Sequence, residues 1–273
     1  MDRIDRKILS LLQQRTKLST RIGEAKRQHR AVIYVPERER ELFARVTRLS
    51  KGKLPARAVT SIYREILSSS RAAQGQAPIG ILESNVSVVL APGRWCFGAC
   101  DQFLPKRTWS EIATGLIDGS LALALLTGAD LAGMLGTTKG WNDFSQHLTV
   151  VGDLSPAVKT EVPLGERIFI VTPRGNGASA EANRILILIE CKPTVNAVKS
   201  LLNSMPDRLL QAEQLPLRVR SARDKTVTTL VRLTCQKLAP GLRLTGELLE
   251  AGKLAGLEIS ILGVYPDTEN YGG

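Results

Sequence analysis

Apolar residues recur at helical spacing from the start of the chain. Ile4, Ile8, Leu11, Leu12, Leu18 and Ile22 fall on one stripe of a 3.6-residue period, which predicts a long helix over residues 2–29. A short break follows at Ala31–Val35. Pro36 suits the first turn of a second helix, because its φ is already helical and its missing N–H would have no partner there. That helix is expected to run to about Leu49, where Ser50-Lys51-Gly52-Lys53 stops it. Pro55 opens a third helix that ends near Ala73, and Gly75-Gln76-Ala77-Pro78 reads as a linker. One long helix and two shorter ones bury little on their own, so dimerisation is expected to cover the apolar faces.

Beyond the linker the period changes. Val86–Ala91 is an apolar, β-branched run and predicts a strand. Trp109–Asp118 predicts a helix, and Leu121–Leu126, Leu148–Val151 and Ile168–Val171 predict further strands. Arg174–Ser179, rich in Gly, Asn and Ser, reads as a second linker. From Arg184 the order is strand (184–190), helix (194–203), strand (209–219), strand (226–235), helix (241–254), strand (257–264). This is a βαββαβ, ferredoxin-like arrangement. The expected architecture is therefore multidomain: an all-α three-helix unit (1–76), a small α/β unit (80–176) and a βαββαβ unit (182–268).

Composition narrows the class. The 273 residues are 43% hydrophobic but only 4% aromatic, so the cores must be aliphatic. No apolar run reaches the roughly 18–20 residues of a membrane span, and the first residues lack a secretory apolar segment. A cytoplasmic protein is expected. Cys96, Cys100, Cys191 and Cys235 form no CxxC pair and the chain has two histidines, so buried reduced thiols are expected rather than disulfides or zinc. The charge is placed unevenly. Residues 1–76 hold 18 Lys and Arg against 7 Asp and Glu, which accounts for the whole net charge of +11. The N-terminal unit therefore handles something anionic, either a nucleic acid or a small polycarboxylate. Interleaved aromatics and a recognisable reading motif are absent, which argues against nucleic acid.

Polar groups also stand where a purely structural helix does not need them. Arg15 and Lys26 are eleven residues, about three turns, apart and share a face. The second helix opens with Arg38-Glu39, and the third ends with Ser70 and Gln74, an i,i+4 pair. The other basic residues of the unit, Arg45 and Arg48 among them, read as solvated surface. Brought together, the three faces line a pocket with two or three cations, one carboxylate and two neutral hydrogen-bonders. Such a pocket fits a compact dianion with a hydroxyl and an ether oxygen. The sequence offers no nucleophile–base pair, metal cluster or phosphate loop, so chemistry there would work by positioning and electrostatics, without metal or organic cofactor.

The segments Ile4-Asp5-Arg6-Lys7-Ile8-Leu9-Ser10-Leu11-Leu12-Gln13-Gln14-Arg15, Ile22-Gly23-Glu24-Ala25-Lys26, Tyr34-Val35-Pro36-Glu37-Arg38-Glu39, Ile62-Tyr63-Arg64-Glu65-Ile66 and Ser70-Arg71-Ala72-Ala73-Gln74 resemble, in order, the all-α (type II) chorismate mutases. The resemblance implies conversion of chorismate to prephenate by a [3,3] rearrangement in an intertwined helical dimer. By the same resemblance, Arg15 holds a substrate carboxylate and Lys26 contacts a carboxylate and the ether oxygen. Arg38 supports the pocket's charge, Glu39 takes the ring hydroxyl, Ser70 meets the ring carboxylate and Gln74 gives the second bond to the ether oxygen. Two departures stand out. Val35 occupies the place of the family's Asp, where the substrate contact is partly through the backbone. The family's trans-acting Arg, about seven residues before the position of Asp5, has no counterpart in the sequence given, leaving Arg3, Arg6 or a start further upstream to supply it.

The remainder resembles the dehydratase and ACT domains of bifunctional chorismate mutase–prephenate dehydratases. Val86–Leu104 resembles the opening strand, Gly-Pro turn and helix, a reduced form of the periplasmic-binding-like lobe. Ser110–Gly119 resembles the next helix, Arg167–Val171 the Thr-Arg-Phe strand and Leu262–Pro266 the close of the ACT domain. The chemistry is altered. Ala129-Asp130-Leu131 stands for Glu-Asn-Ser, and Glu166 stands for the Thr of Thr-Arg-Phe. Thr194-Val195-Asn196 stands for Gly-Ala-Leu, and Glu213-Gln214-Leu215-Pro216 for Glu-Ser-Arg-Pro. About 40 residues separate the dehydratase motifs, too few for a second lobe that closes on substrate. The expectation is a chorismate mutase of phenylalanine and tyrosine biosynthesis that lacks dehydratase activity, with a small-molecule effector as a possible ligand of the ACT-like unit. The alternative is a non-catalytic chorismate-binding regulatory or scaffold protein.

Overall fold

Pro36 and Pro55 punctuate the helices as their chemistry requires. Pro36 is the first residue of α2 (Pro36–Leu49), and Pro55 is the N-cap of α3 (Ala56–Ala73) with φ −56° and ψ 139°. Before them runs α1 (Asp2–Gln28). These are the three predicted helices with nearly the predicted bounds. The computed structural model describes residues 1–28, 36–154, 162–175, 182–192, 196–205, 209–216, 227–235 and 243–266. Both α1 and α2 pack on α3. Val46, Val59 and Leu67 are buried between helices, whereas Ile4, Ile8, Leu11, Leu18 and Ile22 along α1 are each 44–63% exposed in the single chain.

The second unit corrects the sequence reading at its start. The first strand is β1 (Ile79–Leu82), and Val86–Ala91 begins helix α4 (Val86–Phe97) rather than a strand. The reason lies in the burial pattern. Val89, Gly93 and Phe97 are the buried positions of α4, spaced four apart on one helical stripe. Packing of that stripe overrides the β propensity of the valines. Phe97 and Val89 join Ile79, Ile81, Leu123 and Leu125 in one core. Strand β2 (Phe103–Lys106) follows, then α5 (Trp109–Asp118), as predicted. Thr108 caps α5 by accepting from the Glu111 N–H, and Gly119, with φ 80°, ends it. β3 (Leu123–Thr127), α6 (Gly128–Leu135), α7 (Thr138–His147), β4 (Leu148–Leu154) and β5 (Ile168–Pro173) complete the unit. The sequence reading had β3, β4 and β5 and missed β1, β2, α6 and α7.

The βαββαβ pattern holds: β6 (Arg184–Cys191), α8 (Ala197–Ser204), β7 (Leu209–Pro216), β8 (Val227–Cys235), α9 (Arg243–Leu254) and β9 (Glu258–Tyr265). Its strands lie in the order β9-β6-β8-β7, all antiparallel to their neighbours. One side buries Ile185, Ile187, Leu201, Val231 and Leu248 beneath the two helices. The other side buries Leu186, Leu188, Leu230, Leu262 and Tyr265 together with Phe169, Val171 and Leu135 of the α/β unit.

The two strand systems join. The described strands form one nine-stranded sheet, β2-β1-β3-β5-β4-β9-β6-β8-β7. β1 is parallel to both β2 and β3, and β5 lies antiparallel between β3 and β4. The seam is the parallel pairing of β4 with β9, registered at Val150 and Gly263, with the Thr149 hydroxyl donating to the Leu262 carbonyl at 3.2 Å. No helix among the described residues is long and apolar enough to cross a membrane. All four cysteines are reduced. Cys191 and Cys235 are buried as expected, Cys96 is half-buried, and Cys100 is exposed, contrary to the expectation, because it stands on the loop after α4.

Candidate functional site

The three helices enclose a cavity of about 320 Å³. Arg15 reaches it from α1, Arg38 and Glu39 from the first turn of α2, and Ser70 and Gln74 from the end of α3. Five of the seven residues singled out in the sequence thus line one space. Lys26 lies on α1, but its side chain is outside the described residues, as is the whole of Val35. Arg45, expected to be plain surface, is exposed and also lines the cavity. Arg71 lines it as well.

Local structure aims these groups. The Arg15 Nη1 donates to the Ile66 carbonyl at 3.3 Å, and the Ser70 hydroxyl donates to the same carbonyl at 2.7 Å. One α3 carbonyl therefore ties two pocket residues together. Burial pulls the Arg15 pKa down, yet a guanidinium remains charged at neutral pH. Gln74 is the C-cap of α3, in helical conformation. Glu39 is mostly buried; burial pushes its pKa up, and the Arg71 guanidinium pulls it back down. A cavity lined by four arginines, two glutamates, two serines and a glutamine suits a small anion that also carries a hydrogen-bonding hydroxyl.

Arg71 was quoted in the sequence motif and given no role. It is 4% exposed. Its Nη1 donates to Glu39 Oε1. Its Nε and Nη2 donate to Asp101 Oδ1 and Oδ2 at 3.2 and 2.8 Å, and Nη2 also donates to the Phe97 carbonyl. Asp101, 30 residues along the chain, carried no sequence signal. The signal that existed was an arginine beside Ser70 on a helix face that must turn inward.

The altered dehydratase and ACT positions have other work. Asp130 caps α6: its carboxylate accepts from the Thr127 N–H and hydroxyl at 3.0 and 2.6 Å, and from the Asn85 amide at 2.7 and 2.8 Å. Arg167 Nη2 donates to Glu213 at 3.2 Å, and its Nη1 lies 3.9 Å from Asp153. Arg232 donates to Asp153 at 2.9 Å and to Glu213 at 2.6 Å, and the Tyr265 hydroxyl donates to Asp153 at 3.2 Å. Burial opposes the charge on Arg232, but Asp153, Tyr265 and Glu213 hold it firmly protonated. Arg167 and Glu213, expected in two different ligand sites, meet in one buried network across the seam. Asn196 caps α8 by accepting from the Lys199 N–H at 3.1 Å, while Thr194 and Val195 lie outside the described residues.

Fold and site define a class: a three-helix unit with a polar, cation-lined pocket, followed by a mixed α/β sheet region. The comparisons make it specific. Residues 1–75 match the family model for chorismate mutase type II. The chain is 36% identical over 116 residues to the bifunctional chorismate mutase/prephenate dehydratase of Aquifex aeolicus, covering 41% of this chain and 32% of that one. It is 37% identical over 82 residues to the enzyme of the same description from Neisseria gonorrhoeae, covering 30% of this chain and 22% of that one. The matches thus span about a third or less of the curated relatives' length. Among solved structures, the prephenate dehydratase from Streptococcus mutans aligns with 70% of this chain and 98% of its own, at 15% identity and a TM-score of 0.46.

Proposed function

We propose that this protein is a chorismate mutase, converting chorismate to prephenate in the three-helix pocket. The single observation behind this reading is that Arg15, Arg38, Glu39, Ser70 and Gln74, drawn from three helices, line one cavity. The reaction is intramolecular. The allylic C–O bond breaks, a C–C bond forms, and no proton, electron or leaving group is exchanged with the protein. The pocket's task is then to hold the reactive conformer and to stabilise the negative charge that gathers on the ether oxygen. Arg15 and Lys26 take carboxylates, and Arg38 supports the pocket's charge. Lys26 and Gln74 donate to the ether oxygen. Glu39 accepts from the ring hydroxyl, and Ser70 contacts the ring carboxylate.

The division into a mutase unit (1–76), a dehydratase-like unit (80–176) and an ACT-like unit (182–268) belongs to the same proposal, as does the homodimer. The exposed stripe Ile4, Ile8, Leu11, Leu18 and Ile22 supports the dimer, since a second copy of α1 would cover it. Loss of dehydratase activity is also proposed. It is supported by Arg167, the remaining member of its motif, being engaged by Asp153 and Glu213.

The test is the loss of chorismate absorbance with the full chain beside its Lys26→Ala variant, with products separated. Prephenate without phenylpyruvate is expected, and the variant should lose about two to three orders of magnitude, the roughly 3–4 kcal/mol of one donor aimed at developing charge. A folded wild type that binds chorismate without turning it over would instead identify a binding protein.

A further inference from the structure

Arg71 joins three partners: Asp101, the Phe97 carbonyl and Glu39. Asp101 grips its Nε and Nη2, and the Phe97 carbonyl takes Nη2 as well. Asp101 is itself fixed. Its Oδ2 accepts from the Ser68 hydroxyl at 2.7 Å and its Oδ1 from the Gln76 amide at 3.3 Å. The Ser68 oxygen in turn accepts from the N–H groups of Cys100 and Asp101 at 3.0 and 3.1 Å. Ser68, Arg71 and Asp101 are all buried. From a guanidinium clamped in this way, Nη1 donates to Glu39 Oε1. The bond engages one oxygen of a carboxylate that lines the cavity. Without a cation beside it, a carboxylate so buried would favour the protonated form and lose its value as an acceptor.

We propose that Arg71 is a positioning residue for Glu39, and that Asp101, on the loop after α4, holds Arg71 to that task. The pocket of the helical unit is then completed by a residue from outside it. This rests on the reading of Glu39 as acceptor of the ring hydroxyl. Burial and Asp101 push the Glu39 carboxyl up while Arg71 pulls it down, in keeping with the geometry.

The test uses the full chain. The Glu39 carboxyl is followed by ¹³C NMR against pH, assigned by its loss in Glu39→Gln, in the wild type, Arg71→Met and Arg71→Lys. Chorismate turnover is measured across the same pH range, and circular dichroism checks the fold. In Arg71→Met the Glu39 midpoint should rise by about one unit or more, the acid limb of kcat/KM should move with it, and kcat should fall at least tenfold. Arg71→Lys keeps the charge but not the fork, so it should restore the midpoint while kcat stays low. Asp101→Asn should lower kcat several-fold with KM little changed. A folded Arg71→Met with an unmoved Glu39 midpoint overturns the proposal, as do Met and Lys variants that behave alike. If the wild type turns over no chorismate, the mutase reading fails on its own, and the NMR titration still decides whether Arg71 governs Glu39. Should Arg71→Met not fold, Arg71→Lys carries the test: an unchanged kcat there overturns the proposal.

Discussion

A β-carbon built on Gly23 would stand 2.5 Å from the carbonyl oxygen of Gln74 and 2.6 Å from its Cα. α1 and the end of α3 therefore touch backbone to backbone beside the cavity. Gly23→Ala should push the helices apart, at a cost of about 1–3 kcal/mol for an overpacked contact. The denaturation midpoint of the helical unit should fall, and turnover with it, because Gln74 is displaced. A variant as stable as the wild type would show that the crossing relaxes freely.

The seam network makes a second prediction. Asp153 and Arg232 are 1% and 4% exposed and bonded at 2.9 Å. Removing the Asp153 charge takes from buried Arg232 and from the Tyr265 hydroxyl a shared anionic acceptor, and leaves Arg232 to the partly exposed Glu213. Asp153→Asn should cost about 3–5 kcal/mol, the typical penalty for breaking a buried pair. The Asp153→Leu/Arg232→Met double variant should recover much of that loss, since neither charge is then left alone. Thermal unfolding of the three proteins gives the comparison.

Thiol reactivity should be sharply uneven. Cys100 is exposed, whereas burial pushes the Cys96 thiol up to about 12 and the Cys235 thiol up to about 11. Thiolate is the reacting species. With an aromatic disulfide reagent at pH 8, one equivalent should react quickly and three slowly. Cys100→Ser should abolish the fast phase.

Glu39 couples stability and turnover to pH with opposite signs. Burial raises its carboxyl above the usual 4.5, so the folded state binds that proton more tightly than the unfolded chain. Its contribution to stability is complete below about pH 4.5 and is lost as pH rises through the folded value. Turnover needs the anion and should fall as pH drops through the same value. Glu39→Gln should remove that part of the stability profile while leaving little activity at any pH. Denaturation series and kcat/KM profiles on the two proteins check both halves.

The dimer carries a direct prediction. Ile8 and Leu11 are 49% and 63% exposed in the single chain. Ile8→Asp with Leu11→Asp should convert a dimer of the full chain to monomer in sedimentation experiments. A monomeric wild type would refute the dimer.

Much of the fold was legible because periodicity and punctuation are local. Pro36, Pro55 and the apolar stripe mark α1 to α3, and apolar runs such as Arg184–Cys191 mark strands of the βαββαβ unit. Val86–Ala91 misled because a valine run satisfies strand propensity until Val89, Gly93 and Phe97 are seen to share a buried stripe. Arg15, Arg38, Glu39, Ser70 and Gln74 were found through a motif spread along three helices. Arg71 with Asp101, and Arg232 with Asp153, were not. Those partners lie 30 and 79 residues apart, and a charge pairing at that range leaves no periodic trace.

The registered pair Val150–Gly263 marks where the two halves of the sheet meet. A β-carbon on Gly263 would meet the Val150 carbonyl at 2.1 Å, so the two strands approach as closely as glycine permits. β6 and β9, by contrast, are registered at seven positions. A ligand gripping the βαββαβ unit cannot swing it as a hinged lid, because lobe and unit form one plate. Its pull would pass along the strands into the α/β unit, through the shared core and the Asp153–Arg232 bond.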